Sequence, residues 1–98
     1  MSRKRIVVTG LSAYTPLGLG LEPSWDALLR GESGIGPITF FDTSEYSARI
    51  AGELKDFKPE EHMPPKDARR MDRFAQIAVA AGLDVLKHSG YIINDDNA

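Results

Sequence analysis

Between Arg73 and His88 the chain reads as a helix with almost no polar side. Phe74, Ile77, Ala78, Ala81, Val85 and Leu86 recur at helical spacing and share one face. Ala75, Val79, Ala80 and Leu83 cover much of the remainder. Asp72 suits the N-cap and Gly90 the stop. A helix apolar nearly all round is stable only where neighbours cover it on several sides, as inside a larger protein. Gly82 sharpens the constraint, because glycine in a helix interior costs about 1 kcal/mol against alanine. Ala78 and Gly82 lie one turn apart and leave room for another backbone to approach, so packing has to offset that cost.

The rest of the chain offers little to bury such a helix. Arg5-Ile6-Val7-Val8-Thr9 is apolar and β-branched without alternation, which predicts a strand covered on both faces; Gly10 ends it. Leu11 to Gly20 is a turn-rich loop with Pro16, Gly18 and Gly20. Pro23 fits the first turn of a second helix, on which Trp25, Leu28 and Leu29 share a face. Glu22 and Asp26 near its start and Arg30 near its end complement the helix dipole, and Gly31 closes it. Glu32 to Pro59 reads as irregular. Phe40 and Phe41 are expected to pin that stretch to a core, and Ser47 to Leu54 to hold a short edge strand. Asn94 to Asn97 reads as a polar tail or a link to something further. One strand cannot satisfy its own ladder, and a parallel sheet needs several. The expected class is therefore α/β, incomplete by itself: the opening segment of a larger domain.

Composition narrows the function classes. With 98 residues, 42% hydrophobic content and a net charge of −2, the chain is globular in character and holds one domain at most. No run approaches the ~20 apolar residues of a membrane span. Only Ile6, Val7 and Val8 follow the basic start Met1-Ser-Arg-Lys-Arg5, too short a core for a secretion signal, so a cytoplasmic address is expected. The absence of cysteine removes disulfides, thiolate metal sites and a cysteine nucleophile from these residues. Near-neutral charge argues against general nucleic-acid binding. The dinucleotide fingerprint fails after Gly10, because Ser12 and Thr15 stand where glycines are needed. Gly31-Glu-Ser33-Gly34 is followed by Ile35, which excludes a nucleophile elbow. His62 and His88 are isolated and read as surface histidines, with no metal-ligand spacing around them. No cofactor is implied.

One cluster stands out: Pro64-Pro-Lys-Asp-Ala-Arg-Arg-Met-Asp-Arg-Phe74. At about 100° per residue, Lys66, Arg69, Arg70 and Arg73 fall within one arc of a helix. Two readings stand side by side. The arc is a solvated face on which Asp67 and Asp72 pair locally for a few tenths of a kcal/mol. Or it is a docking patch that speeds encounter with an anionic partner.

Several stretches, in order, resemble the β-ketoacyl-[acyl carrier protein] synthases, most closely the elongating synthase II branch. They are Arg5-Ile-Val-Val-Thr-Gly10, Thr15-Pro-Leu-Gly18, Trp25-Asp-Ala-Leu-Leu-Arg-Gly31, Ser33-Gly34-Ile35, Phe41-Asp42-Thr43-Ser44 with Tyr46, Met71-Asp-Arg-Phe-Ala-Gln76 and Ser89-Gly90. The likeness runs along essentially the whole chain. It implies that residues 1–98 are the N-terminal segment of the first half of a thiolase-like αβαβα fold, used as a homodimer. It implies acyl transfer and decarboxylative Claisen condensation in fatty-acid synthesis, with acyl carrier protein as partner. The family's catalytic cysteine and two histidines match nothing here, so this chain alone is expected to be inactive. The resemblance assigns Lys66, Arg69 and Arg70 to acyl-carrier-protein docking and leaves Arg73 on the solvated face. Pro65, Ser12-Ala13-Tyr14 and His88 depart from the family's pattern. A polyketide ketosynthase, a chain-length factor lacking the cysteine and a stand-alone carrier-binding module share the same opening features.

Overall fold

Two small antiparallel ribbons and three helices make up the computed structural model, which describes residues 3–97; Met1, Ser2 and Ala98 lie outside it. Strands β1 (Tyr14–Thr15) and β2 (Gly18–Leu19) pair as Tyr14 with Leu19 and Thr15 with Gly18. Helix α1 (Leu21–Leu29) follows at once. Buried Ser24 ties the two together: its Oγ donates to the Gly18 carbonyl at 3.0 Å and lies 2.7 Å from Thr15 Oγ1. Gly20 takes φ 135° at the helix start, a conformation closed to residues with a Cβ. The second ribbon joins β3 (Ile35–Pro37) to β4 (Ile50–Gly52). Glu53 closes its end by accepting the backbone N–H groups of Thr39 and Phe40. A 3-10 turn (Pro59–Glu61), a one-turn helix α2 (Pro65–Ala68) and the long helix α3 (Arg73–Ser89) complete the order.

Both long helices form where capping residues and periodicity place them. α3 starts after Asp72, which has the extended N-cap backbone but makes no side-chain cap hydrogen bond. It stops at Gly90, whose φ of 73° is the left-handed conformation glycine accepts. α1 ends with Arg30 as C-cap and Gly31 at φ 74°.

Burial departs from the sequence expectations. Arg5 to Thr9 makes no strand; Ile6 is 91% and Val8 77% exposed. A strand exists through its ladder, and no other described segment lies beside this one to supply it. Phe40 and Phe41 do not pin a core, being 55% and 58% exposed. The stretch expected to be irregular contains β3, and the edge strand expected over Ser47–Leu54 shrinks to β4. Trp25, Leu28 and Leu29 form the expected stripe on α1 but are exposed, while Ser24 and Ala27 are its buried residues. Among the described residues, the buried apolar set is Ala27, Phe57, Met63, Ala68 and Ala80, with no large side chain fully enclosed. Apart from its chain neighbours and the backbone of its own helix, no described atom lies within 4 Å of a Cβ placed on Gly82, so no packing from another segment described here offsets that glycine. The radius of gyration is 17.4 Å, against ~13 Å for a compact domain of this length. These are the dimensions of a segment whose faces wait for neighbours.

Candidate docking site

The basic cluster is built on a break between two helices. Proline at position 65 disfavours helical backbone at Pro64, which stays at φ −59°, ψ 142°. Pro65 then occupies the first helical position, where its missing N–H is no loss. One turn forms, closed by Ala68 N–H to Pro64 O at 3.1 Å and Arg69 N–H to Pro65 O at 3.0 Å. The N–H groups of Arg70 and Met71 bond back to Asp67 and Ala68, and the extended backbone of Asp72 ends the run before α3 begins. The single helical arc expected for the four cations therefore does not exist. Lys66, Arg69 and Arg70 are exposed on and just after α2, and Arg73 opens a different helix.

Arg73 has other work. Its guanidinium donates to the Leu54 carbonyl and lies 5.2 Å from the Phe40 ring centroid and 5.7 Å from that of Phe57. These are distances at which a cation is attracted to a ring face. The local pairing expected of Asp67 and Asp72 is also absent. Among the described residues, the ion pair within 4 Å is Arg30 with Glu32 at 2.7 Å. Lys66, Arg69 and Arg70 thus face outward with no carboxylate partner there.

Beneath the patch the segment is pinned. Ala68 and Met63 are buried. Phe57 and His62 stack with centroids 5.4 Å apart and planes 8° from parallel, and Tyr14 meets both edge-on at 5.9 and 5.8 Å. His62 is thus half-buried in an aromatic stack rather than free on the surface. The Tyr14 hydroxyl donates to Asp84 on α3. Burial, and then the hydrogen bond and negative charge of Asp84, push the Tyr14 phenol up to about 12. Gln76 Nε2 donates to the Ala68 carbonyl at 2.9 Å and lies 3.5 Å from that of Met71.

Two of the sequence's departures meet along one seam. His88 Nδ1 accepts the Leu11 N–H at 2.9 Å, and Ser12 Oγ donates to the Ala81 carbonyl at 2.7 Å. With Tyr14 on Asp84, these bonds lay Leu11 to Tyr14 along α3. Gly10 sits at the same seam. A Cβ there would lie 2.8 Å from both Ser89 Cβ and the Val85 carbonyl oxygen. Sequence reasoning missed the roles of Gln76 and Tyr14. A signal existed for the first: Gln76 is the single polar residue between Arg73 and Asp84, and a polar group on an apolar helix needs a partner.

No described group of three His, Asp or Glu residues is placed to hold a metal. No described helix is long and apolar enough to cross a membrane. What the described residues build here is an outward cationic turn on a pinned base.

Comparison with known proteins places the chain in a family. Residues 3–98 match the family described as Beta-ketoacyl synthase, N-terminal domain. A 3-oxoacyl-[acyl-carrier-protein] synthase 2 of Vibrio cholerae is 49% identical over 98 residues, covering 100% of this chain and 24% of that protein. The enzyme of the same name from Synechocystis is 45% identical over 98 residues, again covering 24% of its length. The solved ishigamide ketosynthase/chain length factor superposes with a TM-score of 0.77 at 35% identity, covering 98% of this chain and 23% of that one. The chain spans about a quarter of the length of the curated relatives it matches.

Proposed function

The chain belongs to the β-ketoacyl synthase family, and from that premise we propose that it is the N-terminal segment of the first half of a 3-oxoacyl-[acyl-carrier-protein] synthase. Within a thiolase-like αβαβα enzyme it supplies early helices and the landing face for acyl carrier protein. The whole enzyme elongates acyl chains. An acyl group passes from carrier protein to an enzyme cysteine. Malonyl-carrier protein loses CO2, and the carbanion attacks the acyl thioester carbonyl. Expulsion of the cysteine thiolate leaves a β-ketoacyl chain on the carrier. The acyl-enzyme thioester cannot form on these 98 residues, because they contain no cysteine. With the family come a homodimer and a cytoplasmic address for the whole protein.

One observation carries the docking role. Lys66, Arg69 and Arg70 are held outward on a pinned turn with no described carboxylate to neutralise them. Such a surface raises the encounter rate with an acidic protein and is weakened by salt. In the full-length enzyme, the double charge reversal Arg69→Glu and Arg70→Glu is expected to raise KM for acyl-carrier protein about tenfold at low ionic strength. The effect should shrink as salt is added, and be far smaller for the same acyl group on a small thioester. Carrier-protein kinetics that stay unchanged at low salt reject the assignment.

The solved neighbour, whose name joins a ketosynthase with a chain length factor, keeps a second reading in view, a non-condensing chain-length-factor subunit, with weak support. The residue at the active-site turn further along the whole protein decides it: cysteine means condensation, glutamine a chain-length factor.

A further inference from the structure

Nothing in α2 itself can hold the cationic turn still. It is four residues long, and a single helical turn is unstable in isolation. Its orientation must come from outside. Ala68 packs its methyl inward, which fixes depth but not rotation. The Pro59–Glu61 turn packs beside α2, and among the described residues the side-chain hydrogen bonds that reach the cationic turn come from Gln76, which extends from the first turn of α3 to the carbonyls of Ala68 and Met71. Those two carbonyls flank Arg69 and Arg70 in the chain. Both neighbours are acceptors, so only the amide nitrogen of Gln76 can face them.

We propose that Gln76 is a positioning residue for carrier-protein recognition, holding the Arg69–Arg70 turn in the orientation that meets an acidic partner. This inference rests on the docking role of Lys66, Arg69 and Arg70. Gln76 does not touch the partner; it acts through the backbone that aims the two arginines. Arg73, the first residue of α3, fastens a different segment through Leu54, Phe40 and Phe57, so from this helix it is Gln76 that holds the turn.

The test is Gln76→Met in the full-length enzyme, which keeps length and neutrality and removes the donor. The readout is kcat/KM for an acyl-carrier protein divided by kcat/KM for the same acyl group on a small thioester. The ratio is expected to fall about fivefold, the value of one lost hydrogen bond. The fall should be less than additive with Arg69→Ala plus Arg70→Ala, because both changes act on one interaction. Gln76→Asn keeps the amide and loses the reach; it serves if the methionine variant does not fold, with the same expected fall. An unchanged ratio alongside a large effect of the Arg69→Glu, Arg70→Glu reversal overturns the role of Gln76 alone. An equal fall for both substrates also overturns it, marking Gln76 as a general structural residue. If the double reversal itself leaves the ratio unchanged, the docking role fails and takes this inference with it.

Discussion

Replacing Tyr14 by phenylalanine isolates one hydroxyl at the seam between Leu11–Tyr14 and α3. The ring stays edge-on to Phe57 and His62, and only the bond to Asp84 is lost. The Tyr14 phenol is held at about 12 against an ordinary 10.0. Two pH units at 1.36 kcal/mol each bound the pH-linked change at about 2.7 kcal/mol, the largest part of it the burial of the tyrosinate and the rest the bond and charge of Asp84. Tyr14 is only half-buried, so solvent screening brings that down to about 1 kcal/mol, which is also the usual net value of one such hydrogen bond. Because the folded value is raised, the contribution is complete below pH 10 and drains away as pH rises through about 12. Two measurements follow for the 98-residue chain. Amide exchange of Ser12 to Thr15 should quicken about fivefold in Tyr14→Phe at neutral pH. The tyrosinate absorbance that the variant lacks should titrate at about 12. A missing titration centred near 10, with exchange unchanged, would refute the reasoning, since neither burial nor Asp84 would then act on the phenol.

Gly10→Ala should pry the seam open. Its Cβ meets the Val85 carbonyl and Ser89 Cβ at 2.8 Å, and overpacking of this kind costs about 1–3 kcal/mol, read as faster exchange at Leu11 and Ser12. Gly82→Ala should stabilise the 98-residue chain by up to about 1 kcal/mol in a thermal melt, because open space surrounds the position. In the full-length enzyme the same substitution should turn destabilising, where a neighbouring backbone packs onto α3; a gain of equal size in both would show that Gly82 meets no neighbour there.

The long helices were legible because their signals are local. Asp72 and Gly90 bracket α3, and Gly31 closes α1, whatever surrounds them. Arg5 to Thr9 was equally legible as strand-forming, yet forms none, because pairing is a property of two segments and sequence pattern describes one. The β3–β4 ribbon hid for a related reason: its partners are separated by a long connection with no tight-turn signature. The candidate site was half visible. The cations could be counted, but the helical arc assumed one continuous helix, whereas Pro65 starts a separate turn and the extended Asp72 splits the run. That split breaks the four-cation arc, sends Arg73 to Phe40 and Phe57 and leaves Lys66, Arg69 and Arg70 together on and just after α2. The family likeness, carried by order and spacing of many weak motifs, was readable without any of this geometry.

The bare stretch from Ile6 to Val8 also governs how copies of this chain behave together. Exposed β-branched residues with unpaired backbone groups are a template on which a second copy can add as a strand, the first step toward aggregated cross-β material. Arg3, Lys4 and Arg5 stand immediately before it and act as electrostatic gatekeepers, since stacking copies in register would stack those charges. Salt, by screening them, removes the guard and leaves the template.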